Sequence, residues 1–231
     1  MPLKYELPGL NKRTKKALGK YLFAFFSQHC EDVVLSTAIQ KGQLPQIGFF
    51  VDLGAFHPLK FSNTAMLSIL GWRGVNVDAN PEVIAVFNGF RPNDINVCAG
   101  ISDQQETLRY HRFTQNGINT FSEEHAQRMI ENGNVLNQIT EVECYSVNTI
   151  LETHVPEGQH IDVLNIDLEG FDEQIIRAID WEKYKPTFVL TEAFVEDIEE
   201  YVTSDIHKFL VQLGYMLFSK MGLTAIYLHK D

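Results

Sequence analysis

The sequence has few cysteines, no long apolar run and no overall surplus of positive charge. Its 231 residues include only Cys30, Cys98 and Cys144, which are far apart and form no Cys-x-x-Cys pair. This pattern argues against a disulfide scaffold or a structural zinc site and indicates a reducing, cytoplasmic environment. No apolar run reaches the ~18–20 residues needed to cross a bilayer. Lysines interrupt the stretch where a secretory signal needs its apolar region.

Positive charge is scarce overall and concentrated at the amino terminus. Lys and Arg together number 19 against 30 Asp and Glu, which gives a net charge of −11. A general nucleic-acid binder needs a surplus of cations to displace counterions from phosphates, so the charge argues against that class. Residues 1–20 nevertheless carry six cations and one acid. This basic arm is either a solvated tail or a contact for an acidic partner or an anionic membrane surface.

The two common phosphate-binding motifs are also missing. Gly54 closes the apolar run Phe49–Leu53, but residues 55–59 contain no second glycine, so the GxGxxG fingerprint is absent. The chain has no GxxxxGK[ST] segment either. A ligand whose pyrophosphate is cradled by a glycine-rich loop is therefore not predicted.

Short apolar runs alternate with helical patterns, as in a parallel α/β sheet. The predicted strands are Phe49–Leu53, Gly74–Ala79, Asp94–Ala99, Ile161–Ile166, Thr187–Leu190, Tyr215–Phe218 and Thr224–Leu228. Asn80-Pro81 predicts a helix start, and Ser62 is expected to cap a helix that Gly71 ends. We expect a Rossmann-like α/β fold with a mostly parallel central sheet and a terminal antiparallel hairpin.

The stretch between the third and fourth predicted strands is too long for a simple crossover. Residues 107–113 and 141–147 have strand character, and a short helix between them has Ser122 as its predicted cap. We interpret residues 106–147 as an insertion at the sheet edge, a common position for a substrate lid. The predicted division is a helical N-terminal appendage, residues 1–42, and one α/β domain, residues 43–231.

Polar side chains follow most of the predicted parallel strands. Ligands of open α/β sheets bind beyond the carboxyl ends of the strands, so these side chains form the candidate site. They are Asp52, His57, Asp78, Ser102, Asp103, Asp167, Glu169 and Glu192. Asp78 is placed to accept hydrogen bonds from a ribose, or instead to cap the helix at Pro81. Without a pyrophosphate cradle, the pattern indicates a nucleoside ligand such as S-adenosylmethionine.

Asp167 is the strongest catalytic candidate. A carboxylate after a buried strand persists there by pairing, by hydrogen bonding or by binding a metal. With Glu169 and Glu192 it forms a candidate oxygen-ligand set for Mg²⁺ or Mn²⁺, which would lower the pKa of an acceptor hydroxyl. Alternatively, Asp167 and Glu169 only bond the N–H groups at the following helix start. His57 is either a general base or an anchor of its own loop.

Several segments, in order, carry a resemblance to a known family. They are Ser27–Asp32, Gly48–Pro58, Ser62–Thr64, Gly71–Gly74, Val77–Pro81, Arg91–Asn96 and Asn165–Asp172. The last resembles the pattern [KS]-I-D-x-E-G-x-[DE], with Asn165 in place of the more usual Lys or Ser. Over about residues 27–192 the chain resembles the FkbM family of S-adenosylmethionine-dependent methyltransferases, although His57-Pro58 stands where members often have a second glycine.

The resemblance implies a class I methyltransferase fold and methylation of oxygen, commonly a hydroxyl of a sugar or secondary metabolite. It also implies site roles. Asp52, Gly54 and Ala55 would line the methionine end of the cofactor, Asp78 and Ala79 would hold ribose and adenine, and Ser102 and Asp103 would lie near the adenine. Asp167, Glu169, Glu192 and His57 would face the acceptor pocket. Separately, Asn116, Asn119 and Thr120 of the insertion are the polar candidates for contacting a sugar.

Two other classes of function compete with this interpretation. An NAD-dependent sugar-modifying Rossmann enzyme is disfavoured by the missing GxGxxG and by the lack of a Tyr-x-x-x-Lys pair at Tyr110, Tyr145 or Tyr201. A non-catalytic binding subunit with a methyltransferase fold is the other alternative. We expect a small-molecule or glycan acceptor, no nucleic-acid partner and no transmembrane segment, and the sequence is compatible with a homo-oligomer.

Overall fold

The computed structural model describes residues 25–230, so the basic arm and most of the predicted appendage lie outside the described residues. The elements in chain order are α1 (Glu31–Gln40), β1 (Phe49–Leu53), α2 (Ala65–Ile69), β2 (Arg73–Asp78), α3 (Pro81–Phe90), β3 (Ile95–Cys98), β4 (Gly100–Ser102), β5 (Glu106–Phe113), a 3₁₀ turn (Asn116–Ile118), α4 (Glu123–Glu131), β6 (Leu136–Ser146), α5 (Val147–His154), β7 (Val163–Ile166), α6 (Asp172–Ala178), β8 (Phe188–Glu192), α7 (Ile198–Tyr201), α8 (Asp205–Gln212), β9 (Tyr215–Met221) and β10 (Thr224–His229). Among residues 25–230, no helix is long and apolar enough to span a bilayer.

Seven strands form the central sheet, in the order β3-β2-β1-β7-β8-β10-β9. The first five of these are mutually parallel, and β10 runs antiparallel to both of its neighbours. The predicted α/β fold, with a mostly parallel sheet and a terminal antiparallel hairpin, is therefore confirmed. The strand order reverses between β1 and β7, which opens a crevice at their carboxyl ends.

Both faces of the sheet are covered, because successive residues of a strand point to opposite faces. Val51 and Leu53 of β1 belong to a large cluster on one face, together with buried residues of α5, α6 and α8. Phe50, between them, belongs to a second cluster on the other face. This two-sided burial explains why apolar residues of the central parallel strands β1, β7 and β8 occupy both faces of the sheet.

Helix α1 packs directly on the sheet. Its buried residues Leu35, Ala38 and Ile39 belong to the second cluster, together with Phe50 of β1 and Trp72. The part of the predicted appendage that the structure describes therefore contributes to the core. The boundary after residue 42 stays a prediction, because residues 1–24 lie outside the described range.

The insertion forms a separate three-stranded sheet in the order β4-β6-β5. Strands β5 and β6 pair antiparallel, as expected for a hairpin-like insertion, and β4 pairs parallel to β6. Ser122 caps α4 as predicted, since its Oγ accepts a hydrogen bond from the His125 N–H at 3.1 Å. Strand β4 itself was not predicted. Its three residues directly follow β3, from which only Ala99 separates them.

One of the two predicted caps near the site is correct and the other is wrong. Asn80 caps α3, because its Oδ1 accepts from the Glu82 N–H at 3.0 Å. Ser62 does not cap α2, which begins at Ala65. Its hydroxyl instead accepts a hydrogen bond from Arg91 Nη2 at 3.0 Å. A buried guanidinium must find acceptors for its N–H groups, and this demand outweighs the local capping preference of serine.

Truncating α1 on its buried side should destabilise the whole sheet. Leu35 is fully buried and Val33, on the same helix, is 47% exposed. We expect Leu35→Ala to lower the free energy of unfolding by about 2–5 kcal/mol, because it leaves a cavity in the second cluster. Val33→Ala is the control and should change it by less than about 0.5 kcal/mol. Urea unfolding curves measure both, and equal effects would show that α1 is not part of the core.

Candidate active site

A cavity of about 640 Å³ lies at the carboxyl ends of β1, β2, β7 and β8, next to the reversal in strand order. The insertion contributes the facing wall with residues 115–121. Most of the predicted site residues line this cavity, namely Asp52, Gly54, Ala55, His57, Asp78, Ala79, Asn116, Asn119, Thr120, Asp167, Glu169 and Glu192. The structure thus brings together side chains that are more than a hundred positions apart in the sequence.

Two predicted cofactor contacts, Ser102 and Asp103, are not among the described residues that line the cavity. Ser102 is buried, and its hydroxyl donates to Glu106 Oε1 at 2.5 Å. Asp103 Oδ1 accepts from Gln174 Nε2 at 2.8 Å. The neighbouring residues Ala99 and Ile101 line the cavity instead. Because side chains alternate along a strand, Ile101 faces the cavity while Ser102 points away from it, and Asp103 lies after the end of β4.

Gly54 permits the closest approach between two strand ends. Its φ is +87°, and a Cβ at this position would lie 1.7 Å from the carbonyl oxygen of Asp167. The N–H groups of Gly54 and Ala55 both donate to the Val77 carbonyl at 2.9 Å. Glycine is therefore required here for two reasons, the left-handed backbone and the lack of space for any side chain. The contact draws the ends of β1, β2 and β7 together at one end of the cavity.

Asp52 is buried and held by two side-chain donors. Its carboxylate accepts from Thr64 Oγ1 at 2.6 Å and from Asn165 Nδ2 at 2.8 Å. Burial raises the pKa of Asp52, while these two hydrogen bonds and the charge of Arg91 oppose that rise. Asn165 also accepts from Asn63 Nδ2 at 2.9 Å. The residue that departs from the family pattern therefore connects β1 and β7 through its uncharged amide side chain.

Arg91 is a residue that the sequence analysis missed. It is buried, and its guanidinium donates to Thr64 Oγ1 at 2.9 Å, to Asn76 Oδ1 at 3.3 Å and to the Pro58 carbonyl, besides Ser62. A cation directly after a helix is usually solvent-exposed, and nothing local in the sequence distinguishes this one. Only the three-dimensional convergence of its acceptors shows that Arg91 organises the loops beneath the cavity.

Asp78 stands at the end of β2 and lines the cavity. Burial raises the pKa of Asp78 to about 7, the negative charge of Asp52 adds to this rise, and a hydrogen bond from the Asn80 N–H at 2.6 Å opposes it. The capping alternative is not what the structure contains, because Asn80 supplies the cap of α3. Asp78 is therefore placed to accept hydrogen bonds from a ligand in the cavity.

His57 is fixed by its own loop. Its Nδ1 accepts from the N–H groups of Leu59 and Lys60, both at 3.0 Å. Burial and the positive charges of Lys60 and Arg91 lower the pKa of His57, so the neutral ring is favoured. In a neutral imidazole whose Nδ1 accepts, Nε2 carries the hydrogen and is a donor. This geometry favours the loop-anchoring alternative over a general base, although the ring does line the cavity.

Three carboxylates cluster after the ends of β7 and β8, and two of them, Asp167 and Glu192, line the cavity. One oxygen each from Asp167, Asp172 and Glu192 lies within 4.8 Å of the others. Burial, reinforced by mutual repulsion, raises the pKa of Glu192 to about 10 and that of Asp167 well above its usual range. Burial also raises the pKa of Asp172 to about 7, although hydrogen bonds from the Leu168 and Gly170 N–H groups oppose this. Like charges at this distance do not all ionise together.

The predicted ligand set of Asp167, Glu169 and Glu192 therefore needs a correction. Asp172 takes the third place in the cluster, because the carboxylate of Glu169 turns towards His125 in the insertion, at 3.2 Å. Asp172, and not Glu169, also bonds the N–H groups before α6. Within residues 25–230, Asp167 Oδ1 and Glu192 Oε2 are buried without a hydrogen-bond partner. These two oxygens are thus available to carry a proton or to bind a ligand.

The raised pKa of Glu192 should appear as a pH dependence of stability. The folded state keeps this proton up to about pH 10, whereas the unfolded chain releases it near 4.5. The free energy of unfolding should therefore fall as pH rises between these values, by about 1 kcal/mol per pH unit for each such proton.

Urea unfolding at several pH values between about 7.5 and about 9 tests this expectation, because protons held with a pKa near 7 have largely dissociated in that range. Glu192→Gln should flatten the slope, and Glu199→Gln, an exposed control, should leave it unchanged. Identical slopes in wild type and Glu192→Gln would show that Glu192 is already ionised in the folded protein.

Comparison with known proteins finds distant matches among solved structures. No curated protein sequence matches the chain significantly. Among solved structures, a methyltransferase FkbM from Methylobacillus flagellatus KT is 12% identical with a TM-score of 0.45, covering 80% of this chain and 44% of that protein. The precorrin-6y C5,15-methyltransferase from Geobacter metallireducens GS-15 is 14% identical with a TM-score of 0.37, covering 84% and 87%. TM-scores below 0.5 carry no weight for function.

The chain thus spans less than half the length of the Methylobacillus protein. The family assignment rests instead on sequence. The family sequence model described as the methyltransferase FkbM domain matches residues 52–217, from Asp52 at the end of β1 to Leu217 in β9. This range covers most of the chain and includes the end of β1 and all of β2, β7 and β8, whose ends form the cavity. The chain belongs to the FkbM methyltransferase family.

Proposed function

We propose that this methyltransferase transfers the methyl group of S-adenosylmethionine to a hydroxyl oxygen of a sugar or secondary metabolite. The observation that carries the proposal is one cavity with two chemically different ends. One end has Gly54 and Asp78, which suit a nucleoside cofactor without a pyrophosphate, and the other has Asp167 and Glu192, with Asp172 buried beside them. The two groups of residues adjoin at Gly54, whose backbone lies against the carbonyl oxygen of Asp167.

The cofactor end fits S-adenosylmethionine in shape and charge. Gly54 leaves backbone, rather than a side chain, facing this part of the cavity, and Asp78 offers carboxylate oxygens to the ribose hydroxyls. Asp52 and Ala55 line the same end, with Ala79, Ala99 and Ile101 as small or apolar surfaces for the adenine. When bound, the cofactor supplies a methyl group already activated by a positive sulfur, which an acidic cavity favours.

The acceptor end offers a base. Methyl transfer from an activated donor depends largely on holding the nucleophile in line at near-attack distance. A carboxylate with a raised pKa is well matched to remove the hydroxyl proton near neutral pH. Asp167 fits this role because its Oδ1 is buried and has no hydrogen-bond partner among the residues that the structure describes. Glu192, with a pKa near 10, holds its proton and does not compete as the base.

Replacing Asp78 should weaken cofactor binding. We expect Asp78→Asn to reduce the affinity for S-adenosylmethionine by about 10- to 100-fold, since the ribose loses a charged acceptor worth about 1–3 kcal/mol. Asp103→Asn is the matched control, because Asp103 is outside the cavity and should leave the affinity unchanged. Isothermal titration calorimetry measures both. If Asp103→Asn alone weakens binding, the cofactor lies elsewhere; if the wild type binds nothing, the chain is a non-catalytic member of its family.

Replacing Asp167 should affect the reaction and not the cofactor. A panel of neutral sugars and hydroxylated metabolites with radiolabelled S-adenosylmethionine first identifies an acceptor. Asp167→Asn should then lower the methyl-transfer rate by at least ~10²-fold, the scale of a lost general base. Cofactor affinity should change much less, and Glu157→Gln, an exposed control, should change neither. Full activity of Asp167→Asn at saturating acceptor would remove Asp167 from the mechanism.

A bound divalent cation, instead of a bound proton, would also neutralise the carboxylate cluster. Cation binding at this site stays a prediction. Mg²⁺ and Mn²⁺ bind through oxygen ligands of the kind that Asp167, Asp172 and Glu192 present. Activity that survives a chelator, together with an inactive Asp167→Asn variant, supports the direct base. Activity that is lost on chelation and restored by Mg²⁺ or Mn²⁺ would assign Asp167 to the cation instead.

A further inference from the structure

The insertion carries a buried histidine to which the proposed reaction assigns no role. His125 lies in the first turn of α4, is 2% exposed and lines the cavity. Its ring packs against Phe194, with ring centroids 5.3 Å apart. Neither ring nitrogen makes a hydrogen bond of good geometry within residues 25–230. Nε2 lies 3.2 Å from Oε2 of Glu169, at ion-pair distance.

The insertion holds the backbone of Glu169 as well as its side chain. Glu169 has a φ of +50°, a left-handed conformation that non-glycine residues rarely adopt. Thr120 Oγ1 donates to the Glu169 carbonyl at 2.8 Å. Thr120 is itself fixed, since its N–H and carbonyl pair with the backbone of His111 in β5 at 3.1 and 2.8 Å. Two contacts from the insertion therefore fix the conformation of one residue of the Asp167–Gly170 loop.

The glycine after Glu169 allows these contacts to form. A Cβ on Gly170 would lie 3.2 Å from the Cβ of His125, closer than almost all such contacts, and the φ of Gly170 is +99°. A larger residue would push α4 away from the loop. The small residue at position 170 therefore allows the loop to pack against α4, a helix that begins more than forty residues earlier in the chain.

The pair also separates Glu169 from the reacting carboxylates. The negative charge of Glu169 contributes to the raised pKa values of Asp167, Asp172 and Glu192, so its approach would increase their repulsion. His125 offers a partner on the opposite side, and the Glu169 oxygens are not part of the cluster of three. Glu169 is thereby left at the cavity surface, 21% exposed, with a fixed orientation.

We propose that His125 is a positioning residue that holds the Glu169 carboxylate for binding the acceptor, so that the insertion completes the acceptor site. The inference rests on the proposed function, because Glu169 lines the same cavity two residues after the proposed base Asp167. It also restricts the expected lid movement, because the contacts of Thr120 and His125 tie the insertion to the loop after β7. Movement on acceptor binding is then confined to residues 115–119 and does not involve the whole of residues 106–147.

Two variants separate positioning from packing. His125→Phe keeps a ring against Phe194 but removes both nitrogens, whereas His125→Gln returns a polar group near the place of Nε2. We expect His125→Phe to raise the KM for the acceptor identified above by about 10-fold or more, with kcat changed less than 3-fold. S-adenosylmethionine affinity should stay within 2-fold. His125→Gln should recover most of the loss, and His154→Gln, on α5, is the control.

A double-variant cycle in urea provides a readout that does not depend on catalysis. If the pair exists, Glu169→Gln added to His125→Phe should shift the unfolding midpoint by much less than Glu169→Gln alone, because the interaction is already lost. Additive shifts would overturn the proposal. Coupled shifts with an unchanged acceptor KM would also overturn it, by showing that the pair is structural only. A wild type that binds no S-adenosylmethionine would end the proposed function and this inference together, while the coupling still reports whether the contact exists.

Discussion

The buried guanidinium of Arg91 holds together the loops on which the cavity depends. Its donors reach the loop after β1 at Pro58, the approach to α2 at Ser62 and Thr64, and Asn76 of β2. Thr64 in turn donates a hydrogen bond to Asp52, and Asp52 also accepts one from Asn165 of β7. A buried charge is stable only when all of its partners are in place. The three strands and their loops are therefore fixed relative to each other by one continuous hydrogen-bonded network.

The same network makes the two ends of the cavity electrostatically different. At the cofactor end, Arg91 and neutral donors compensate the charge of Asp52. At the acceptor end, Lys220 lowers the pKa of Glu192, whereas Asp167, Asp172 and Glu192 repel one another. A ligand with an uneven charge distribution is oriented by such a cavity, because negative charge is compensated at one end and uncompensated at the other. The positive sulfur of the proposed cofactor would be attracted towards the unbalanced end, where the acceptor oxygen must also lie.

The fold could be predicted from sequence more completely than the site, because strands are local patterns and side-chain partners are not. All five parallel strands begin and end within two residues of the expected positions, and Asn80 caps α3 as predicted. The site residues were located by the rule that ligands lie beyond strand ends. Their partners could not be located in this way, since Asp52 and Asn165 are 113 positions apart. The buried roles of Arg91 and His125, and the replacement of Glu169 by Asp172 in the cluster, all depend on such distant contacts.

The position of β10 has a consequence for how the protein is made. This strand follows both β8 and β9 in the sequence, yet it lies between them in the sheet. Until residues 224–229 have left the ribosome, β8 has an open edge and β9 has no neighbour to pair with. Open edges of apolar strands readily pair with other chains. The nascent protein therefore carries an aggregation-prone edge from the synthesis of β8 until residues 224–229 are available to pair with it.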